Sequence, residues 1–450
     1  MRWSSCRPRS ARTRLRIGNA SHGFRSIIAL TPPELAPSRH LAARTFSALR
    51  HRNYRLYFAG QLFSLIGTWM QIVAAGWLVL RITNSPFLLG LITAMESLPA
   101  LFLSLLAGAL ADLADKRRIA ILTQSLAALQ AAALGVLVLT NHATFWSVFW
   151  LALFAGVINA FDLPVRQSLV FDIVGAEDVM NATALNSVVF NCARIVGPAI
   201  AALIIEHAGE AVNFFSNAAS YAFVVAALLA MRTGTAKAHG SAHLVVARRA
   251  LNGAAYVIRH PLLSRLFAAM FVYSIFGFNY IFLMPVVARF ELHRSAGALG
   301  LLLSSVGVGA LVGSLTLAGR GRPRLSTLTV MSFVFPVSLI AFALAKELHL
   351  AVGLAGVLGL CMVQFIVRLS TFLQTESSDS MRGRVLGLYN MFIMGLAPIG
   401  ALQAGALAQR FGAGFALAFG GALCLVSACV LALLPPLQVP AAQAEERAAT

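Results

Sequence analysis

Long uninterrupted apolar runs constrain this chain more than any other feature. The run from Phe87 to Ala111 is followed by another from Ile119 to Leu139, and only the polar residues 112–118 separate them. Apolar runs of about 20 residues are long enough to cross the hydrocarbon core of a bilayer as helices. Because the connection is so short, the two spans must form an antiparallel hairpin. The chain is therefore predicted to be a membrane protein built from helices.

Twelve such runs recur along the chain, six on each side of a long polar segment at residues 232–262. The pattern predicts an all-α membrane protein with 12 transmembrane helices in two six-helix bundles. The predicted spans are Tyr57–Leu80, Phe87–Ala111, Ile119–Leu139, Phe145–Phe161, Ala184–Ile205, Ala211–Met231, Leu266–Val287, Leu299–Leu317, Leu325–Ala345, Leu350–Leu373, Val385–Leu407 and Ala413–Leu434.

Composition excludes an ordinary soluble protein. The chain is 59% hydrophobic and 11% charged, whereas about a quarter of the residues in soluble domains are charged. A net charge of +19 would suggest nucleic acid in a soluble chain, but residues 1–55 hold 12 arginines against the single acid Glu34 and supply +11 of it. We therefore expect this charge to face membrane lipids, with no nucleic-acid partner.

The distribution of cations predicts the orientation. With both termini inside, the interior loops and tails carry 28 Lys and Arg residues and the exterior loops carry 5. By the positive-inside rule, this asymmetry predicts a multi-pass protein of the bacterial inner (plasma) membrane with both termini in the cytoplasm.

Five segments are expected. Residues 1–54 form a basic cytoplasmic tail without fixed structure, unless the chain has been started upstream of its native first residue; residues 55–233 form the first bundle. Residues 234–262 form a cytoplasmic linker, in which apolar residues repeat at helical spacing from Leu244 to Ile258 and predict an amphipathic surface helix. Residues 263–435 form the second bundle, and residues 436–450 a second tail.

Enzymatic and ATP-driven chemistry have no support in the sequence. The five cysteines lack metal or disulfide spacing, none of the ten histidines falls within an apolar run, and there is no phosphate-binding loop motif. No nucleophile–base pair stands out either. We predict a protein that is not an enzyme and needs neither a cofactor nor a metal.

Glu96 is the first candidate functional residue, because it is the only acid deep within a predicted span. Ionisable residues in hydrocarbon are costly and therefore mark functional sites by default. Glu96 could couple transport to protons, or it could be neutralised by hydrogen bonds to a neighbouring helix. Asp162, at the inner mouth of the fourth span, is the second proton-coupling candidate. Asp162 and Arg166 could form a gate pair with Lys116–Arg118 or could simply cap a helix end.

Two arginines lie inside predicted spans. Arg194 is mid-span and could bind an anionic substrate, pair with Glu96 or Asp162 in one of two conformations, or form a static ion pair that fixes helix register. Arg368 could contribute to substrate binding or could extend its charged end to the interior surface. Arg194 and Arg368, with Arg166, are the substrate and ion-pair candidates.

The stretch Gly108-Ala-Leu-Ala-Asp112, followed by Asp115, Lys116, Arg117 and Arg118, resembles the loop signature between the second and third helices of the major facilitator superfamily. The resemblance implies that this loop is a cytoplasmic gate whose acid, Asp112, meets the end of the eleventh helix. Asp115 stands where the family usually has a second glycine, which implies a different turn geometry.

Gly197-Pro198 in the fifth span resembles the antiporter signature of the same superfamily, and Gly395-Leu-Ala-Pro398 echoes it in the eleventh span. Both pairs are predicted helix-packing or hinge positions. Three stretches, 159–167, 181–198 and 217–221, resemble the transmembrane secretion effector group, which includes the enterobactin exporter and proton-coupled drug efflux proteins.

This resemblance implies proton-coupled efflux of a drug-like or siderophore-like amphipathic small molecule by alternating access, with small molecules, protons and lipids as partners and a monomeric chain. Two rivals stay open. One is an importer or facilitator of a lipid-derived or cell-wall-derived solute, and the other is a transport-inactive membrane scaffold.

Overall fold

The structure is a computed structural model that describes residues 46–113, 115–231, 253–317 and 325–433, with side chains described for all of these except residues 104–106 and 108–113. Most of the predicted basic tail, the Leu244–Asn252 part of the linker helix, the polar segment 318–324 and the second tail lie outside the described residues. So do the side chains of Gly108 and Asp112.

The described chain is almost entirely helical, which confirms the predicted fold class. Its helices are α1 Arg52–Thr83, α2 Pro86–Leu113, α3 Lys116–Leu139, α4 Phe145–Ala208, α5 Glu210–Ala230, α6 Pro261–Val272, α7 Tyr280–Val286, α8 Ala296–Leu315, α9 Leu325–Ala343, α10 Leu348–Glu376, α11 Asp379–Gly395, α12 Ala397–Phe411 and α13 Ala413–Leu433. Eleven described helical segments are long and apolar enough to cross a membrane.

The count of eleven arises because α4 contains two predicted spans. It runs for 64 residues, about 96 Å at the usual rise, which is far longer than a bilayer is thick. Residues 162–183, expected to form a loop, are helical instead, except at Gly175, whose backbone (φ 73°, ψ 177°) lies outside the helical region. Glycine has no Cβ to forbid this conformation, so Gly175 is where the two spans separate.

The seventh and eleventh predicted spans are irregular. In the seventh, π-helical segments at Tyr273–Gly277 and Val287–Glu291 flank α7. Such segments are often found at functional sites in helices. The eleventh is broken at Leu396 between α11 and α12, and Pro398 lies in the first turn of α12, where a missing N–H is tolerated.

The helices group into two halves that meet along two helix pairs. Within the first half α1 packs on α4 and α5, α2 on α4, and α3 on α5; within the second half α8 packs on α10 and α9 on α13. Between the halves, α8 packs on α4 and α12 on α2. We call the end of the bundle at which Asn84 and Gln409 lie the Asn84 end, and the opposite end, at which Lys116 meets Asp172, the Lys116 end.

Glycines permit these close approaches. A Cβ added to Gly90 of α2 would lie 2.5 Å from the Ala401 carbonyl oxygen of α12. A Cβ on Gly300 of α8 would lie 2.9 Å from the Pro198 carbonyl oxygen of α4. In a bilayer, where apolar surface gains little by leaving lipid, such backbone proximity is a main source of helix association.

The predicted tail becomes ordered before its expected end at residue 54. A 3₁₀ turn at Ser47–Arg50 precedes α1, and Ala48 and Tyr54 are fully buried. The Ala48 amide donates to the Asn181 side chain at 3.0 Å, and the Tyr54 hydroxyl donates to the Ala182 carbonyl at 2.9 Å. These contacts join the start of α1 to the second part of α4.

The α8–α10 contact provides a stability test. Gly309 of α8 lies so close to α10 that an added Cβ would overlap the Gly356 carbonyl oxygen. Because a backbone atom cannot rotate away, Gly309→Ala is expected to lower the free energy of unfolding by about 1–3 kcal/mol. The control is Gly353→Ala on α10, where nothing lies within 4 Å of the added Cβ. Thermal unfolding of the detergent-solubilised protein measures both, and equal melting temperatures for the two variants would contradict this packing.

Candidate functional site

A central cavity of about 270 Å³ lies mainly within the first half and is closed on one side by the second half. Helices α1 to α5 supply most of its wall, and α7 and α8 contribute Ile281, Phe282, Pro285 and Leu303. The wall is mostly apolar, and Glu96 is the only charged residue among those that line it. A cavity with an apolar wall and a single carboxylate suits an amphipathic small molecule.

The sequence around Glu96 fixes its position. Pro99 lies inside α2 and has no N–H to donate to the Met95 carbonyl, so the hydrogen-bond ladder is interrupted in the turn that contains Glu96. Gly156 of α4 lies against this turn, and a Cβ there would overlap the Glu96 carbonyl oxygen. Glycine at position 156 therefore allows α4 to approach the backbone that carries the carboxylate.

The Glu96 side chain has no hydrogen bond or ion pair to any described residue, and it is exposed to the open space of the cavity. One interpretation of the sequence was that hydrogen bonds to a neighbouring helix neutralise Glu96. The described side chains form no such hydrogen bond. The carboxylate is free to exchange a proton or to bind a donor group of a ligand.

Amide side chains form a chain of hydrogen bonds along the cavity wall. Asn217 of α5 donates to Gln71 of α1 at 2.8 Å, Gln71 donates to Gln130 of α3 at 3.1 Å, and Gln130 donates to the Leu151 carbonyl of α4 at 3.2 Å. Buried amides in hydrocarbon require such partners. The network ties four helices together and presents polar atoms to the cavity at Gln71 and Gln130.

Asp162 lies on α4 toward the Lys116 end and is 2% exposed. Its carboxylate lies 2.6 Å from Arg166 Nε and accepts hydrogen bonds from Thr123 at 2.7 Å and Gln124 at 2.9 Å. Arg166 in turn donates to Gln61 of α1 at 2.6 Å. Asp162 and Arg166 are therefore partners of each other and of α1 and α3.

The gate pair of Asp162 and Arg166 with Lys116–Arg118, one of the two possibilities left open by the sequence, is not formed among the described side chains. Lys116 lies 2.7 Å from Asp172 instead. Arg117 donates to the carbonyls of Leu228 and Leu229 at the end of α5, at 2.7 and 2.9 Å. This arrangement follows from the helical continuation of α4 past Asp162, which carries Asp172 rather than Asp162 to the cations.

Asp115 takes a specific local role. It is the N-cap of α3, and its carboxylate accepts the backbone amides of Arg117 at 3.0 Å and Arg118 at 3.2 Å. An N-cap carboxylate satisfies amides that have no partner inside the helix. The departure from the family glycine at this position thus produces a capped helix start. Arg118 also lies 3.3 Å from Asp115 on an exposed surface.

At the Asn84 end, side chains join the two halves. Glu206 of α4 accepts the Gly297 amide at 2.9 Å and the Ser295 hydroxyl, both at the start of α8. Ser85 donates to Gln409 of α12 at 2.7 Å. In the middle of the bundle, Ser304 of α8 donates to the Ile195 carbonyl of α4 at 2.7 Å. The structure is therefore closed at the Asn84 end.

The remaining predicted residues are located as follows. Arg368 donates to Gln364 one turn earlier on α10. Gly197 packs against α1, where an added Cβ would lie 2.6 Å from Trp69 Cβ, and Pro198 lies beside α8. Gly395 ends α11 against Leu101 of α2, which an added Cβ would approach to 2.8 Å. Arg194 is 8% exposed and donates a hydrogen bond to Asn191 at 3.3 Å, and neither Glu96 nor Asp162 is its partner.

Sequence reasoning missed several polar residues of the cavity wall and its surroundings. Thr93, Thr123, Gln124 and Gln130 were not singled out, although each interrupts an apolar span and could have been found by that signal. Tyr221, which lines the cavity and lies 3.4 Å from Thr68, falls within one of the family-like stretches. Among the described residues, no group of three or more His, Cys, Asp or Glu side chains could hold a metal.

Comparison with known proteins gives a consistent result. A family profile described as transmembrane secretion effector matches residues 43–450. The staphyloferrin A transporter of Staphylococcus aureus is 24% identical over 361 residues, 80% of this chain and 90% of the relative. The multidrug efflux pump Tap of Mycolicibacterium fortuitum is 27% identical over 356 residues, 77% of this chain and 87% of that pump.

A solved structure has the same fold. The nucleoside transporter NupG superimposes with a TM-score of 0.66, covering 84% of this chain and 97% of its own, at 16% identity. Identity this low supports the arrangement of helices and carries no information about the transported compound.

The Asp162 network provides the second test. Asp162→Asn removes the charge that faces Arg166 but keeps the shape of the side chain, so a largely buried guanidinium, with a side chain 21% exposed, loses its counter-charge. Breaking a buried pair in this way costs about 3–5 kcal/mol of unfolding free energy. In the control, Asp379→Asn removes an ion pair to Arg382 in which Asp379 is 91% exposed, and it should change stability little. Equal thermal stability of the two variants would show that Asp162 and Arg166 are not a buried pair.

Proposed function

Because this chain belongs to the transmembrane secretion effector family of the major facilitator superfamily, and is therefore a small-molecule transporter rather than an enzyme, we propose that it exports an amphipathic compound in exchange for protons. The two halves rock about the central cavity and open it to one face of the membrane at a time.

The observation that carries this proposal is the unpaired carboxylate of Glu96 in a mostly apolar cavity. An ionised carboxylate surrounded by protein and lipid is costly, and it is stabilised by a bound proton or by a donor group of the cargo. Proton and cargo then compete for one group. Such competition couples the release of one to the binding of the other, which is the logic of an antiporter.

Asp162 supports this assignment by contrast. Its carboxylate already faces Arg166 and two hydrogen-bond donors, whereas Glu96 has no described partner. Protonating Asp162 would leave the Arg166 guanidinium without its counter-charge. We assign Glu96 to proton coupling, and Asp162 to holding α1, α3 and α4 together at the inner side of the cavity.

The closed Asn84 end supports alternating access. The bonds from Glu206 to the start of α8 and from Ser85 to Gln409 hold the halves together there. These contacts involve few side chains at the ends of helices, so they can break as the halves rock. The cations of the Lys116 end favour a cytoplasmic location for that end, with both termini in the cytoplasm and the chain in the inner membrane as a monomer.

Export by relatives supports the direction. The multidrug efflux pump Tap is named for efflux, and it covers most of this chain. A second relative is named for staphyloferrin A, so family membership does not identify the cargo. The residues that line the cavity are the better guide to its chemistry. A wall of apolar side chains with polar atoms at Gln71, Gln130 and Glu96 fits an amphipathic compound better than a sugar.

Everted membrane vesicles that hold a respiration-driven pH gradient test this function. Drugs, dyes and siderophores are added one at a time while a quenched pH dye reports the proton concentration inside. We expect at least one compound to release protons in the wild type and none in Glu96→Gln, because glutamine cannot exchange a proton. Glu347→Gln, which changes an exposed acid at the start of α10, is the control and should behave like the wild type.

Proton release that survives in Glu96→Gln would overturn the assignment of the coupling group and leave Asp162 as the next candidate. Silence of the wild type toward every compound, at normal expression, would count against drug-like export. Uptake of labelled solute into right-side-out vesicles would then identify an importer, and its absence would favour a transport-inactive scaffold.

A further inference from the structure

A second unpaired charge lies apart from the cavity described above. Arg194 is 8% exposed in the middle of the second part of α4. Its Nε is buried without a hydrogen-bond partner, and the hydrogen bond that its Nη2 donates to Asn191 is long at 3.3 Å. No carboxylate among the described residues pairs with it. A buried guanidinium normally has several acceptors, because removing it from water without them is costly.

Tyr280 of α7, in the other half of the protein, is a second buried donor. Its side chain is fully buried, its hydroxyl has no hydrogen-bond partner among the described atoms, and it lies close enough to interact electrostatically with Arg194. Arg194 Nε and the Tyr280 hydroxyl are thus two buried donors, one from each half, that have no acceptor among the described atoms. Their chemistry is complementary to an anion, since both can donate to the same oxygen atoms.

A polar track leads from the Lys116 end to this point. Thr183, Ser187, Asn191 and Arg194 follow one another at intervals of four, four and three residues, so they share one face of the helix. The opposite face carries exposed apolar residues such as Val188, Val196 and Leu203, as expected for contact with lipid. Thr183 and Ser187 are exposed, so this polar face is accessible at its end nearer the Lys116 end.

The track lies beside the wall of the central cavity. Ile281, which follows Tyr280 in α7, lines the cavity, and so does Leu303, which precedes the Ser304 that donates to the Ile195 carbonyl. Arg194 and Tyr280 therefore lie close to the part of the cavity wall that α7 and α8 form, but they do not line the cavity themselves. A shift of these two helices, the expected motion between the halves, would bring the two sites into one space.

We propose that Arg194, with Tyr280 and Asn191, forms an anion subsite that binds a carboxylate group of the cargo. The cargo class is then an amphipathic acid that has an apolar body for the cavity wall and a carboxylate for Arg194. The planar guanidinium matches a carboxylate in two parallel hydrogen bonds, and the tyrosine hydroxyl adds a third donor. This inference rests on the proposed transport function for its meaning, but the subsite can be tested without transport.

Binding is measured on the purified full-length protein in nanodiscs, without any pH gradient. The probes are naphthalene-2-carboxylate and naphthalene-2-carboxamide, which share an apolar body and differ in charge. Chloride, added as the sodium salt, is the inorganic anion for comparison. We expect the carboxylate to bind more tightly than the amide, and Arg194→Gln to weaken the carboxylate by about tenfold or more while leaving the amide unchanged. Arg194→Lys should retain part of the preference, because it keeps the charge but loses the two-pronged geometry.

Two further variants complete the design. Tyr280→Phe removes only a hydroxyl and should reduce the carboxylate preference without loss of folding. Arg410→Gln removes an exposed arginine on α12 and should leave both affinities as in the wild type. The carboxylate preference should be present even if the Glu96 experiment fails, because no proton gradient enters this measurement.

Equal binding of the carboxylate and the amide by the wild type would overturn the subsite. So would an unchanged preference in both Arg194→Gln and Tyr280→Phe. If chloride stabilises the wild type in an Arg194-dependent manner and the carboxylate does not compete with it, the site holds an inorganic ion, and the assignment to the cargo is wrong.

Discussion

The structure depends on one constraint, which is that hydrocarbon does not solvate charge. A charged side chain inside a span must find a partner or mark a place where a partner comes and goes. Asp162 and Arg166 satisfy the first condition with a pair at 2.6 Å, reinforced from α1 and α3. Arg368 bonds Gln364 within its own helix. Glu96 and Arg194 have no charged partner among the described residues, and for this reason they are the candidates for proton coupling and for binding the cargo.

The same constraint explains the way the two halves meet. Without a strong hydrophobic drive, the halves hold each other through glycine contacts such as Gly300 on Pro198, and through a few hydrogen bonds at the Asn84 end. Contacts of this kind stabilise the association of the two halves. They are also few enough to break when the halves move. The irregular seventh span, with π-helical segments on both sides of α7, and the break at Leu396 provide helices that can change shape as the halves move.

The spans and the fold class could be predicted from the sequence because apolar length alone decides them. The continuation of α4 past Asp162 could not, since residues 162–183 are polar in a way that loops and surface helices share. This continuation brings Asp172 to Lys116, whereas the sequence offered Asp162 as one possible partner. Glu96 was visible as a lone acid in an apolar run. The lack of a partner for Glu96, and the buried and unpartnered state of Arg194 Nε and the Tyr280 hydroxyl, depend on tertiary packing that spacing along one chain does not encode.

If Glu96 couples protons to transport, its protonation should shift the halves between two arrangements. Spin labels on a cysteine-free background, at Asn141 and Glu347 for the Asn84 end and at Met180 and Ser380 for the Lys116 end, would report both openings by pulsed electron resonance. We predict that acidification changes the two distances in opposite directions, and that Glu96→Gln, which mimics the protonated carboxylate, keeps the acidic distribution in alkaline buffer. Distances that ignore pH, or a Glu96→Gln variant that responds to pH like the wild type, would contradict the account.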